Sequence, residues 1–353
     1  MKDYLERPDV MIQARREHKG YPWFGELAIF LLIFITGTFL QMLIMIPVYA
    51  ILMFRDPQYL EASAGGNFAE MMEAAGRIME ENDAFTLTLL FTFFGITAAS
   101  LLLGRWVDKR KVRTFGFVRK RFFGEYILGL VIGFIMFSAA VAICLLAGAI
   151  RLDVKPGSPV ILILYFLAFM VQGMAEEVLC RGLLMVSLSR RYSIPVSMII
   201  NSIAFATLHL FNGGIAVLPL INLVLFGMVA SVYFIKRGSI WGIAAVHGIW
   251  NFVQGNFYGI PVSGMKVGNS VFIAELLPDK VFINGGRFGL EGGIAVTAIL
   301  TLSLVILWFL PGKNGTLLPD AIKVDTDFIE KKLSGPKIRV ETSDQDEQNS
   351  AMG

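Results

Sequence analysis

The chain has 353 residues, 55% of them hydrophobic and only 17% charged, with a formal net charge of +3. Soluble globular domains carry about 25% charged residues, so this balance excludes an ordinary soluble fold, and the small net charge gives nucleic acid no electrostatic footing. The two cysteines, Cys144 and Cys180, lie within apolar runs and exclude both a disulfide framework and a cysteine-based zinc site.

A polar segment, 1–22, precedes an apolar run from Trp23 to Phe54. That run is too long for a signal-peptide core and lacks a cleavage site, so an uncleaved first span is expected. About 20 residues are needed to cross roughly 30 Å of hydrocarbon. The candidates, in chain order, are Trp23–Phe54 with a kink expected at Pro47, Ala84–Leu103, Tyr126–Ile150, Pro159–Leu188, Ile194–Phe211, Val217–Ile235, Ile240–Val253 and Gly293–Leu310. The expected fold class is all-α, a polytopic membrane bundle of about eight transmembrane helices. It divides into the N-terminal segment 1–22, spans one to three over 23–150, a core over 159–254, an outer loop and last span over 255–311, and a polar tail over 312–353 expected to be mostly disordered. No internal repeat suggests a transporter.

Loop charges set the expected orientation. The stretch from Arg105 to Arg121 holds eight basic residues and one acid, whereas Arg55–Asp83 holds seven acids and two basic residues. Positive loops stay inside, which places both termini, Arg190–Arg191 and Lys236–Arg237 in the cytoplasm of a cell whose plasma membrane the chain spans. Within 55–83, Phe68, Met71, Met72, Ala75, Ile78 and Met79 recur at helical spacing, predicting an amphipathic helix packed on the membrane surface or on the protein.

The fourth span reads VQGMAEEVLCRGLL. A charge at the bilayer centre costs roughly 2.5–3.5 kcal/mol, so Glu176, Glu177 and Arg181 must face protein or water. Glu177 and Arg181, spaced i, i+4, share a helical face and can pair; Glu176 is rotated about 100° away and stays free for chemistry. A packing salt bridge with a leftover glutamate is the plainer reading of these three alone. Phe205 and His209 are also spaced i, i+4, as are His247 and Asn251, so each polar pair shares a face. A helical rise of about 1.5 Å per residue puts Glu176 and His209 roughly 21 and 22 Å from the cytoplasmic edge, and His247 and Asn251 roughly 12 and 18 Å. They can meet.

EEVLCRG at Glu176–Gly182, FATLH at Phe205–His209 and HGIWN at His247–Asn251 resemble, in order, the EExxxR, FxxxH and HxxxN motifs of the CAAX-protease and bacteriocin-processing family, CPBP or Abi. The chain departs from that pattern at Cys180, where an aromatic residue is common, and in the sixth span, where Gly227 is clear and Ala230 and Ser231 stand for other small residues. GNFYGIPVSG and INGGRFGLEGG are similar to a glycine-rich outer loop of some bacterial members. The resemblance implies an intramembrane endopeptidase acting on a peptide or protein substrate, membrane-associated substrates included.

Such a reaction needs a base for water, donors for the oxyanion and a path for water. Glu176 is the candidate base, and His247 and Asn251 are the candidate oxyanion donors. His209 orients water or joins Glu176 and His247 as a zinc ligand, while Glu177, Arg181 and Phe205 hold the frame. No HExxH motif is present, although two His and one Glu make a known catalytic zinc set. We favour metal-independent activation, with zinc as the one cofactor these residues suggest. The alternatives are a non-enzymatic scaffold or bacteriocin self-immunity factor of the same fold, an ion-coupled transporter, and a bis-His haem bundle using His209 and His247.

Overall fold

The computed structural model describes residues 7–120, 122–155 and 157–310. The expected tail 312–353, the first six residues and Arg121 lie outside the described residues. The helices are α1 (Asp9–Glu17), α2 (Trp23–Met53), α3 (Pro57–Ala64), α4 (Phe68–Glu81), α5 (Asp83–Thr92), α6 (Phe94–Trp106), α7 (Phe122–Leu146), α8 (Pro159–Ser189), α9 (Ile194–Thr207), α10 (Val217–Arg237), α11 (Ile240–Phe252) and α12 (Ile294–Phe309). Helix α2, α5 with α6, α7, α8 and α10 are long and apolar enough to cross a membrane.

The chain runs up and down. Glu26 at the start of α2 pairs with Arg190 just past α8, and Glu125 at the start of α7 pairs with Arg237 at the end of α10. The loop after α6 meets the start of α11, where Ile240 N donates to Gly116 O at 2.9 Å. Lys236 reaches the carbonyls of Trp308 and Leu310 at the end of α12. One end of the bundle thus gathers alternate helix termini. At the other end, Tyr165 of α8 donates to Asp83 of α5 at 2.7 Å, and Lys266 pairs with Glu80.

Several expected boundaries shift for local reasons. The expected second span is α5 and α6 joined at Phe93. Helix α2 continues through Pro47 to Met53. The third span ends at Leu146 rather than Ile150, because Ile150–Val154 forms strand β1, antiparallel to β2 (Phe272–Leu276) with Ile150 opposite Leu276. This small sheet is the one departure, among the described residues, from an all-helical fold. The expected fifth span, Ile194–Phe211, stops as a helix at Thr207. Between α10 and α11 the turn is two residues: Gly238 takes φ 63, a left-handed conformation that favours glycine, and the Ser239 hydroxyl accepts from Trp241 N.

The outer loop folds as two helices, α3 and α4. Asp56 and Asn67 cap them by accepting from Tyr59 N and Glu70 N. Of the six apolar positions predicted there, Ala75 and Ile78 are buried on the protein and Met71 is half-buried; Phe68, Met72 and Met79 face outward. The described part of the polar N-terminal segment packs on the bundle. Helix α1 buries Val10, Met11 and Ala14, and Arg7 donates to the carbonyls of Ser189 and Tyr192.

The core is centred on α11, clamped between α7 and α8. Small residues permit the contact: a Cβ on Gly129 or Gly133 of α7 would run into the carbonyls of Gly242 and Val246 on α11, and one on Gly173 of α8 would strike the backbone of Gly248. Close approach through small residues is how helices associate where no hydrophobic drive operates between them. The result fixes α8 and α11, the two helices that carry the acidic pair and the HxxxN motif, at minimum separation.

Candidate active site

Glu176 and Glu177 end the regular α-helical part of α8, and the chain continues through a π-helical turn over Val178–Met185. Such turns are uncommon and are often found at functional sites. Loop residue Arg110, fully buried, braces this one by donating to the carbonyls of Gly182 and Leu183 at 2.8 and 2.9 Å. Burial pulls its guanidinium down to about 10, with Asp108 opposing the shift, so the charge persists at neutral pH.

The two glutamates separate as their spacing predicts. Glu177 Oε1 accepts from Arg181 at 2.8 Å, and both side chains are completely buried. Arg181 also donates to Gly227 O at 3.3 Å and sits 4.8 Å above the Phe205 ring. Glu177 Oε1 takes a second partner, His247 Nδ1, at 2.8 Å. Glu176 points elsewhere. Its Oε1 accepts from Gln172 Nε2 at 2.6 Å, while its buried Oε2 makes no hydrogen bond and faces His247 Nε2 at 3.6 Å.

His247 and Asn251 emerge from one face of α11, both nearly buried. Asn251 Nδ2 donates to Gln172 Oε1 at 2.8 Å, so Gln172 links the Asn251 amide to the Glu176 carboxylate. His209 lies just beyond the end of α9, in the following turn, with its Nδ1 bonded to Phe205 O at 3.0 Å. Phe205 stands between the two imidazoles, its ring centroid 4.9 Å from that of His209 and 5.9 Å from that of His247. This explains the aromatic residue in FATLH: it supports Arg181 and spaces the histidines.

These groups open onto a cavity of about 270 Å³. Glu176, His209, His247 and Asn251 line it together; Glu177 and Arg181 stand behind it. Of the sequence-predicted residues, the free carboxylate, both histidines and the asparagine therefore share one space. The zinc set does not assemble in the same way: among the described residues, no group of three His, Cys, Asp or Glu side chains could hold a metal ion. Each histidine bonds its Nδ1 to an oxygen, Phe205 O for His209 and Glu177 for His247, which fixes the ring and leaves Nε2 outside those bonds.

Residues 158–253 match the family model of the Rce1-like type II CAAX prenyl endopeptidases. This stretch is a CPBP-family domain. No curated protein and no solved structure matches the chain. The CPBP domain comprises α8 to α11, all three motifs and the whole Glu176–His209–His247–Asn251 constellation, within a helical integral membrane protein.

The cavity extends beyond the domain. Leu89, Leu90 and Phe93 from the α5–α6 junction form one wall, and Val262, Ser263, Gly264 and Met265 form another with Glu291. The glycine-rich loop, which the sequence left without a role, is thus a wall of the site. Its backbones meet directly: a Cβ on Gly264 would collide with Gly213, and one on Gly289 with Pro261 O. Sequence reading missed Gln172 and Glu291. Gln172 sits one turn before Glu176, a spacing that would have revealed it; Glu291 lies in an irregular loop and gave no periodic signal.

Proposed function

We propose that the chain is an intramembrane endopeptidase that hydrolyses a peptide bond with water activated by Glu176. The observation that supports it most is the division of labour between adjacent carboxylates. One oxygen of each carboxylate is without a hydrogen bond, but Glu177 is paired with Arg181 behind the cavity, whereas Glu176 has no Arg or Lys partner among the described residues and lines the cavity together with two histidines and an asparagine.

In this reading, Glu176 Oε2 takes a proton from water as its oxygen attacks the scissile carbonyl carbon. Gln172 holds Oε1 and fixes the carboxylate's orientation. His209, donating Nδ1–H to Phe205 O, has an Nε2 lone pair that accepts from the water's other hydrogen and aims it. Asn251 Nδ2 and His247, as an imidazolium between two carboxylates, donate to the oxyanion. Collapse of the tetrahedral adduct breaks the C–N bond, and the leaving amine takes the proton back from Glu176. No step passes through a metal. The substrate is a peptide or protein reaching the site within the bilayer, and the membrane is the plasma membrane with both termini in the cytoplasm.

A self-immunity scaffold of the same fold needs neither the unpaired Glu176 oxygen nor the Gln172 link to it. The test is cleavage of a fluorogenic peptide library by purified chain in liposomes, before and after exhaustive chelation, with elemental analysis alongside. Cleavage that survives chelation is expected. Near-stoichiometric zinc that disappears in His247→Ala, with activity restored by added Zn²⁺, would contradict metal-free water activation. Cleavage of no peptide would return the chain to the scaffold reading.

A further inference from the structure

Glu291 is the cavity's other carboxylate, and it lies outside the family match at 158–253. Its Oε1 accepts from Trp250 Nε1 at 3.2 Å, and its Oε2 accepts from Ser263 N and Oγ at 2.8 and 2.7 Å. All three donors are neutral. They fix its position, and among the described residues no Lys or Arg forms an ion pair with it. No Lys or Arg lines the cavity at all; Arg287 lies exposed beside Gly213 at the rim. Glu291 is half-buried, so its carboxylate is both fixed by neutral donors and open to a charged group entering the cavity.

The surroundings suit a cation. Trp250 lies next to Asn251 and three residues after His247, so Glu291 is tied to the catalytic helix itself. The Phe226 ring centroid is 4.9 Å from that of His247 and 5.8 Å from that of Trp250, and Phe226 and Trp250 both line the cavity with Glu291. Carboxylate and aromatic faces together recognise ammonium and guanidinium groups.

We propose that Glu291, beside Trp250 and Phe226, forms a specificity subsite for a basic side chain, Lys or Arg, close to the scissile bond. This rests on the endopeptidase reading and narrows its substrate class. The test uses full-length protein in liposomes and peptides in which Lys, norleucine or Glu is walked across the positions flanking the cleaved bond. At one position, kcat/KM for the Lys peptide should exceed that for norleucine by about tenfold or more, the scale of a hydrogen bond to a charged group. Glu291→Gln should bring that ratio near one, and Glu291→Asp should retain a preference. Ratios near one at every position in the wild type, or a preference that persists in Glu291→Gln, would overturn the proposal. A parallel binding assay on Glu176→Gln, with and without Glu291→Gln, reads the same ratio in Kd. If no peptide is cleaved, the endopeptidase reading fails while this binding ratio still decides the subsite.

Discussion

Adjacent side chains of identical chemistry acquire different surroundings here through a rotation of about 100° around the helix axis. Glu177 meets Arg181 and the Nδ1 of His247, and Glu176 meets Gln172 and the cavity. Removing one member of the buried pair leaves the other charge stranded, at a cost of about 3–5 kcal/mol. Glu177→Ala and Arg181→Ala should therefore lose folded yield and thermal stability, measured by size-exclusion profile and thermal unfolding in detergent. Wild-type stability in either variant would contradict the framing role. The i, i+4 arithmetic was enough to read this pair, and the His247–Asn251 pair, from the sequence. It could not show that His247 bridges both glutamates, because that depends on how α8 and α11 pack. Nor could it find Glu291, which no period marks.

At the level of elements, the helices that cross the bundle were legible from apolar run length, and their ends were legible where a cap is encoded, as at Gly238–Ser239. Ends without such signals were not. The apolar run through Phe211 continues past the helix that stops at Thr207, so His209 gains its position from a turn. The run to Ile150 hides a strand whose partner lies more than a hundred residues away, a pairing no local pattern reveals. The contact between α7 and α11 gives a direct check on packing. Gly129→Val would force the helices apart at the Gly242 carbonyl, and overpacking of this kind costs about 1–3 kcal/mol. Reduced thermal stability with a matching fall in activity is expected, since α11 carries His247 and Asn251. Unchanged stability would show that the helices can separate there freely.

Across the whole molecule, the basic clusters that set the expected orientation do converge at one end of the bundle, but several are not free surface charges. Arg110 and Arg190 are buried; Arg190 pairs with Glu26 and Asp108, and Asp108 also accepts from Ser187 at 2.6 Å. They lock the loop after α6 to the end of α8, and thereby hold the π-helical turn below the acidic pair. Reporter fusions after Glu80 and after Arg110 should give opposite signals, with Arg110 on the cytoplasmic side. Equal signals would contradict the up-and-down path. The account as a whole stands on the free carboxylate of Glu176, so its most direct measurement is kcat for peptide cleavage by Glu176→Gln beside wild type, in the same liposomes. Glutamine keeps the shape and the Gln172 contact but cannot take a proton from water. Thermal stability near wild type with cleavage at background is predicted; substantial turnover by a well-folded Glu176→Gln protein would contradict the assignment of Glu176 as the base.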